Sequence, residues 1–287
     1  MAAKMEDIDL IRSRRTLNTT FLSTKKSIPG VELAERLRKS LLNLKSKFIS
    51  ANGKIVDYEQ LKQSRDFQDY TKDAVDLQIV DVIKMSDIEK KAFFINIYNC
   101  LTLHGLIEQP KLPESVLQVQ QFFKTTSYTI AGLVFSLDDI EHGILRCNRP
   151  HPSSTKPTFS PDDPKLKFIC KTFDPRIHFA LVCGAKSCPA ISVYSVDNLD
   201  AALDKATRNF CSQEVFISNE KNEIFISKLF QWYRSDFGVT DIDVLKWILP
   251  FLSQTEHDRY NMLIMKLEMV GSVAVKYLDY NWSLNIS

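Results

Sequence analysis

The chain has 287 residues, 44% of them hydrophobic and 25% charged, and a net charge of +2. That is ample apolar material for a sizeable core, and too little charge to point to nucleic acid or an anionic membrane surface. No run of some 18 apolar residues occurs, so no membrane span is predicted, and the mixed-charge first ten residues do not read as a secretory signal.

Six irregularly spaced cysteines then predict reduced thiols and a cytoplasmic location. Cys100, Cys147, Cys170 and Cys211 read as small hydrophobes. Residues 1–28, with mixed charge and no period, read as a mobile arm. Ile28-Pro29-Gly30 opens an amphipathic helix with Leu33, Leu37, Leu41, Leu44 and Phe48 on one side. Arg36, Arg38, Lys39, Lys45 and Lys47 take the other faces. Asn52-Gly53 marks a turn. Tyr58 to Lys84 reads as helix in two pieces, with Leu61, Phe67, Tyr70, Ala74 and Leu77 inside. Ser86 with Glu89 makes a capping box for a helix running to Ile107. That helix is apolar on nearly every side, so it is expected to be central and buried, with Asn96 and Asn99 in apolar surroundings.

Tyr128-Thr-Ile and Leu133-Val-Phe flank Ala131-Gly132, a hairpin signal. Ser136 with Asp139 caps a helix from Leu137 to Arg146 that carries Glu141 and His142. Residues 147–165 hold five of the eleven prolines and read as a long loop, with His151 in solvent. Asp174 to Pro189 reads as a turn, a short buried strand and a tight glycine bend. Val196–Cys211 reads as helix, and a second hairpin turns at Asn219-Glu-Lys-Asn222. Helices follow from Ser227 to Phe237, from Thr240 to near Pro250, and from Thr255 to about Met269. Val273–Leu278 reads as a strand. The fold class is α+β: a single mixed domain over 76–287 with a central helix and short antiparallel hairpins, plus an arm and amphipathic helices over 1–75.

A thiol nucleophile needs a cysteine with a lowered pKa, a histidine in reach and a group that orients it. Cys183 and Cys188, with His142 or His178, are the candidates. On one extended strand His178 and Cys183 would lie about 16 Å apart on opposite faces, so His142, arriving from another helix, is the better base for Cys183. Asn99 or His178 would orient or stabilise it. Glu141, adjacent to His142 on a helix, points elsewhere and is free to bind a cation such as Arg176. Backbone N–H groups of Gly184 and Ala185 would form an oxyanion hole. A zinc site is disfavoured by the loose Cys183-x4-Cys188 spacing, and no other cofactor is indicated. The bland alternative makes His178 and Cys183 satisfied core residues.

At these residues the sequence resembles the family catalogued as domain of unknown function 547. The resemblance rests on Phe94-Ile-Asn-Ile-Tyr-Asn99, Ser136 to Arg146, Asp174 to Pro189, Phe230 to Phe237, and Tyr280 to Asn285, covering about residues 80–285. It implies no settled activity. Its motif falls on Asn99, Glu141, His142, His178 and Cys183. Plant-like versions resemble Ser-Ser-Pro where this chain has Ser187-Cys188-Pro189, which makes Cys188 the less essential thiol.

The leading expectation is a cysteine-dependent hydrolase or acyltransferase that acts on an amide or thioester of a small molecule or peptide through an acyl-thiol intermediate. The order His before Cys is that of a circularly permuted papain-like fold. The rival is a non-catalytic protein-interaction module that uses the basic helix 31–48 and the aromatic face of Phe230, Trp232 and Tyr233.

Overall fold

The computed structural model describes residues 13–20, 22–23, 28–50, 56–184, 192–218, 222–271 and 273–284. Asn52-Gly53, Ala185, Cys188, the first residues of the 219–222 turn and Asn285 lie outside them. The fold is α+β, built from helices and two small mixed sheets. The chain divides into two compact units. The first takes residues 1–174, 181–199 and 282–287; the second takes 175–180 and 200–281.

In the first unit the helix Gly30–Lys47 packs on the helix Asp87–Ile107. Its leucines 33, 37, 41 and 44 are buried, each worth roughly 2 kcal/mol of apolar burial. Arg38, expected on a solvent face, is also buried, and its Nε donates to Ser192 O at 3.2 Å. The helical face that meets the core is wider than the leucine stripe alone suggests. The capping box of Ser86 and Glu89 forms, and every residue from Ala92 to Ile107 is buried. Tyr58–Gln63 and Arg65–Ala74 are the two helical pieces before it, and a 3-10 turn, Val75–Ile79, ends them short of Lys84.

Three strands form the first sheet: β1 (Arg15–Thr16), β2 (Thr126–Ile130) and β3 (Leu133–Ser136). The β2–β3 hairpin turns through Ala131 and Gly132, both at positive φ, the backbone a tight hairpin requires. β1 pairs parallel to β2, so the described part of the expected arm is docked rather than mobile. Asn18 holds it there. Its Nδ2 donates to Ala74 O and Thr129 O, and its Oδ1 accepts from Thr129 N. Composition does not reveal that one amide can bridge two backbone segments.

In the second unit the antiparallel pair β4 (Val215–Ser218) and β5 (Glu223–Ser227) is joined by β6 (Ala274–Leu278), parallel to β5. The helices Leu199–Glu214, Asp241–Ile248 and Gln254–Val270 cover an aromatic core of Phe179, Phe210, Phe230 and Phe237, with Trp247 packed against it. The helix expected from Ser227 to Phe237 breaks at Tyr233 into Lys228–Trp232 and Arg234–Phe237. The break lays the Tyr233 ring on His178, centroids 4.0 Å apart. Phe230 is fully buried and Trp232 meets Tyr280. Of the expected aromatic partner face, Phe230 is internal and Tyr233 half-buried, while Trp232 stays 38% exposed.

The buried strand predicted over Ile177–Cys183 does not form. Pro175–Phe179 is a 3-10 helix, and 181–183 runs irregularly. Proline after Asp174 favours a helical first turn. A short apolar run cannot by itself tell a strand from a buried turn. Val182 N finds its partner in a side chain, Asn99 Oδ1 at 2.7 Å, rather than in a neighbouring strand.

Candidate functional site

The segment after β3 is the most unusual backbone of the first unit. Ser136 and Asp139 exchange hydrogen bonds as a capping box predicts. The regular helix expected from there lasts only a few residues before Asp139–Leu145 widens into a π-helix. Its wide turns show in Arg146 N to Glu141 O at 2.8 Å and Asn148 N to Gly143 O at 2.9 Å, both five residues apart. Such bulges concentrate at functional sites. Cys147 and Asn148 then adopt positive φ and end the helix.

The proline-rich loop is ordered rather than a loose excursion. Asn148 clamps it shut, with Nδ2 donating to Phe159 O and Oδ1 accepting from Phe159 N. Phe159 lies against Gly143, where a Cβ would stand 2.2 Å from its Cζ. Alanine usually improves a helical glycine by up to about 1 kcal/mol. Here Gly143→Ala is expected to destabilise by about 1–3 kcal/mol, because it overpacks a closed contact. Thermal unfolding decides the sign, and a stabilised variant would overturn this packing.

The closed loop brings His151 back onto His142, ring centroids 4.7 Å apart and perpendicular. His151 is thus half-buried in a site rather than in solvent. Both rings line a cavity of about 590 Å3 with Asp138, Arg14, Lys124, Lys156 and Lys165. Asp139 is neutralised within it by Lys165 at 2.9 Å and Arg14 at 3.1 Å. Asp138 Oδ1 faces His142 Nε2 at 3.9 Å, on the next turn of the same segment. Burial, and after it the charge of Glu141, pushes the Asp138 carboxyl up to about 7. Burial keeps His151 below the usual histidine range.

Hydrogen bonds assign the tautomers. Arg146 Nη1 contacts His142 Nδ1 at 2.9 Å, and Ser153 N donates to His151 Nδ1 at 3.0 Å. Guanidinium and peptide N–H groups only donate, so each neutral ring carries its proton on Nε2. Asp138, His142 and His151 place ligand-type atoms within 4.8 Å of one another. A metal-bound imidazole needs its coordinating nitrogen bare and its other nitrogen donating. The donor set here is the reverse, so the cluster fits a metal poorly.

The other sequence candidates each have partners within their own unit. Glu141 accepts from Tyr98 Oη at 3.0 Å, and its Oε1 stays 3.9 Å from His142 Nδ1. Asn99 holds the Val182 amide, and Asn96 pairs with both backbone groups of Tyr194. The bland reading of the buried amides thus accounts for these bonds, and Arg146 meets His142. His178 belongs to the second unit, where its Nε2 meets Asp236 Oδ2 at 2.8 Å. Arg176 is held by Asp200 at 2.7 Å. Cys183 is half-buried beside Gly184, whose φ is +90°, and is not among the residues lining the His142 cavity. Burial pushes the thiols of Cys100, Cys170 and Cys211 up to about 11, 12 and 12, as hydrophobic cysteines should be. Asp138 and His151 escaped the sequence reading. The Asp138-x3-His142 spacing, which puts both on one face of a helix, was the available signal; nothing local announces the return of His151.

Residues 82–211 match the family model described as "Protein of unknown function, DUF547". No curated protein and no solved structure matches the chain. Among the described residues, no helix is long and apolar enough to cross a membrane.

Proposed function

We propose that the domain is a hydrolase working by general acid–base catalysis in the His142–His151 cavity, on a small-molecule or peptide ester or amide. The observation that carries this reading is Asp138, a carboxyl poised near neutrality in an open polar cavity. A group that is half ionised at the working pH serves equally well as base and acid. As carboxylate, Asp138 takes a proton from an attacking water while the water oxygen bonds to the acyl carbon. The Nε2–H groups of His142 and His151 donate toward the negative charge that develops on the acyl oxygen. Asp138 then returns its proton to the leaving group as that bond breaks. The test is a carbon-13 titration of the Asp138 carboxyl, with hydrolysis of a chromogenic ester panel from pH 5 to 9. A midpoint near 7, and activity lost in Asp138→Asn, support the reading; a midpoint near 4 ends it.

A second reading keeps the acyl-thiol route, because Cys183 sits on a bend held by Asn99 through the preceding amide. It requires a base other than His142 in the tautomer described above. The free thiols of Cys100, Cys147, Cys170 and Cys211 suit a reducing compartment such as the cytoplasm. Iodoacetamide applied to the native protein at pH 6.5 is expected to label Cys183 ahead of Cys100, Cys170 and Cys211, as peptide mapping would show. If Cys183 labels only after unfolding, the thiol route is ruled out.

A further inference from the structure

We infer that the His142–His151 cavity recognises an organic phosphate: a phosphoryl head bound among Lys124, Lys156 and the neighbouring hydroxyls, next to the histidine Nε2–H groups that face the acyl bond, with an apolar group in the adjoining cleft. This rests on the reading of that cavity as the working site, and it adds the substrate class.

The head group follows from the donors. Asp139 already pairs with Arg14 Nη2 and Lys165 Nζ, although Arg14 Nε has no hydrogen-bond partner. Lys124 and Lys156 line the same cavity and have no acidic partner within 4 Å among the described residues. Two uncommitted ammonium groups and the hydroxyls of Ser154, Thr158 and Ser160 outnumber what a two-oxygen carboxylate can accept. A phosphoryl group offers three peripheral oxygens and up to two charges. Asp138 opposes an anion only when ionised, so binding is favoured on the acid side of neutrality.

The tail follows from the neighbouring cleft. A second cavity of about 220 Å3 shares Lys124, Asp138 and His151 with the first. Leu117, Phe122 and Phe123 wall it, and Leu117 is 61% exposed. An apolar cleft joined to a cluster of polar donors is the usual form of a small-molecule site. A phosphorylated ester or amide with a short aromatic or aliphatic group spans both.

The test uses the full chain with carbon-13-labelled histidine at pH 6, titrated separately with inorganic phosphate, phenyl phosphate, benzoate and phenol. The C2–H signals of His142 and His151 should move saturably with phosphate and phenyl phosphate, while that of His257, on an exposed helix, stays still. Phenyl phosphate should bind about tenfold more tightly than phosphate, the gain expected from burying about 1.4 kcal/mol worth of apolar surface. Lys124→Ala with Lys156→Ala should weaken phenyl phosphate by about tenfold or more. Both lysines are exposed, so the fold survives the change. Benzoate binding as tightly as phenyl phosphate would overturn the phosphoryl assignment. Equal affinity for phosphate and phenyl phosphate would remove the apolar tail. No saturable shift, or no loss in the double variant, would overturn the inference entirely. The carboxyl titration of Asp138 stands apart from these outcomes, so failure here and failure of the acid–base reading are distinguishable.

Discussion

Asp138→Asn is expected to stabilise the protein at pH 8 by up to about 4 kcal/mol relative to wild type, and to leave the two nearly equal at pH 4. The sign follows from linkage. The folded carboxyl is raised from its ordinary 3.8 to about 7, so between those values the native state holds a proton that the unfolded state has released. Stability contributed by that proton is complete below about 4 and disappears as pH rises through 7. A half-point moved by this much corresponds to a penalty on the order of 4 kcal/mol for the ionised group. The side chain is only 17% exposed, so solvent screens little of it. Asparagine keeps the size and removes the charge. Urea unfolding of both proteins at pH 5, 6, 7 and 8 reads the difference directly. Parallel curves at every pH would show that Asp138 titrates as an ordinary carboxylate, and the acid–base role would fall with it. The same substitution should abolish turnover. A variant that is more stable and inactive carries the signature of a group held at a cost for function.

The second large effect concerns His178. Its bond to Asp236 is sealed, with side-chain exposures of 2% and 0%, and Tyr233 and Phe237 close over the ring. Asp236→Ala is expected to destabilise the protein by about 3–5 kcal/mol, because it removes one side of a buried bond between a polar ring and a carboxyl group. Asp236→Asn, which keeps a hydrogen bond, should cost about half as much. Denaturant midpoints for the two variants separate the bond from the packing. If Asp236→Ala unfolds within about 1 kcal/mol of wild type yet loses catalysis, His178 is a working residue. The expected result makes it part of the second unit's core.

The elements that could be read in advance are those whose signal is local. The Ser86–Glu89 box, the Ala131-Gly132 turn and the leucine stripe of the 30–47 helix each depend on spacing within one segment, and all three form as the pattern requires. The candidate site was half legible for the same reason. His142 and Glu141 stood out as polar groups in an apolar segment, whereas His151 looked like a loop residue and Asp138 like a capping neighbour.

Composition and spacing determined the α+β class, the buried central helix and the thiol candidates, since each is carried by residue type and by periods of two or 3.6, while short motifs carried the family resemblance that the match over residues 82–211 bears out. Tertiary structure alone decided which polar residues meet. Asn99 holds a backbone amide, His178 meets Asp236, and His142 lines a cavity completed by His151, nine residues further on in a loop that Asn148 and Phe159 close. These pairings depend on which partner each buried donor finds once water is removed. That choice is made across distances in the chain over which no sequence period extends.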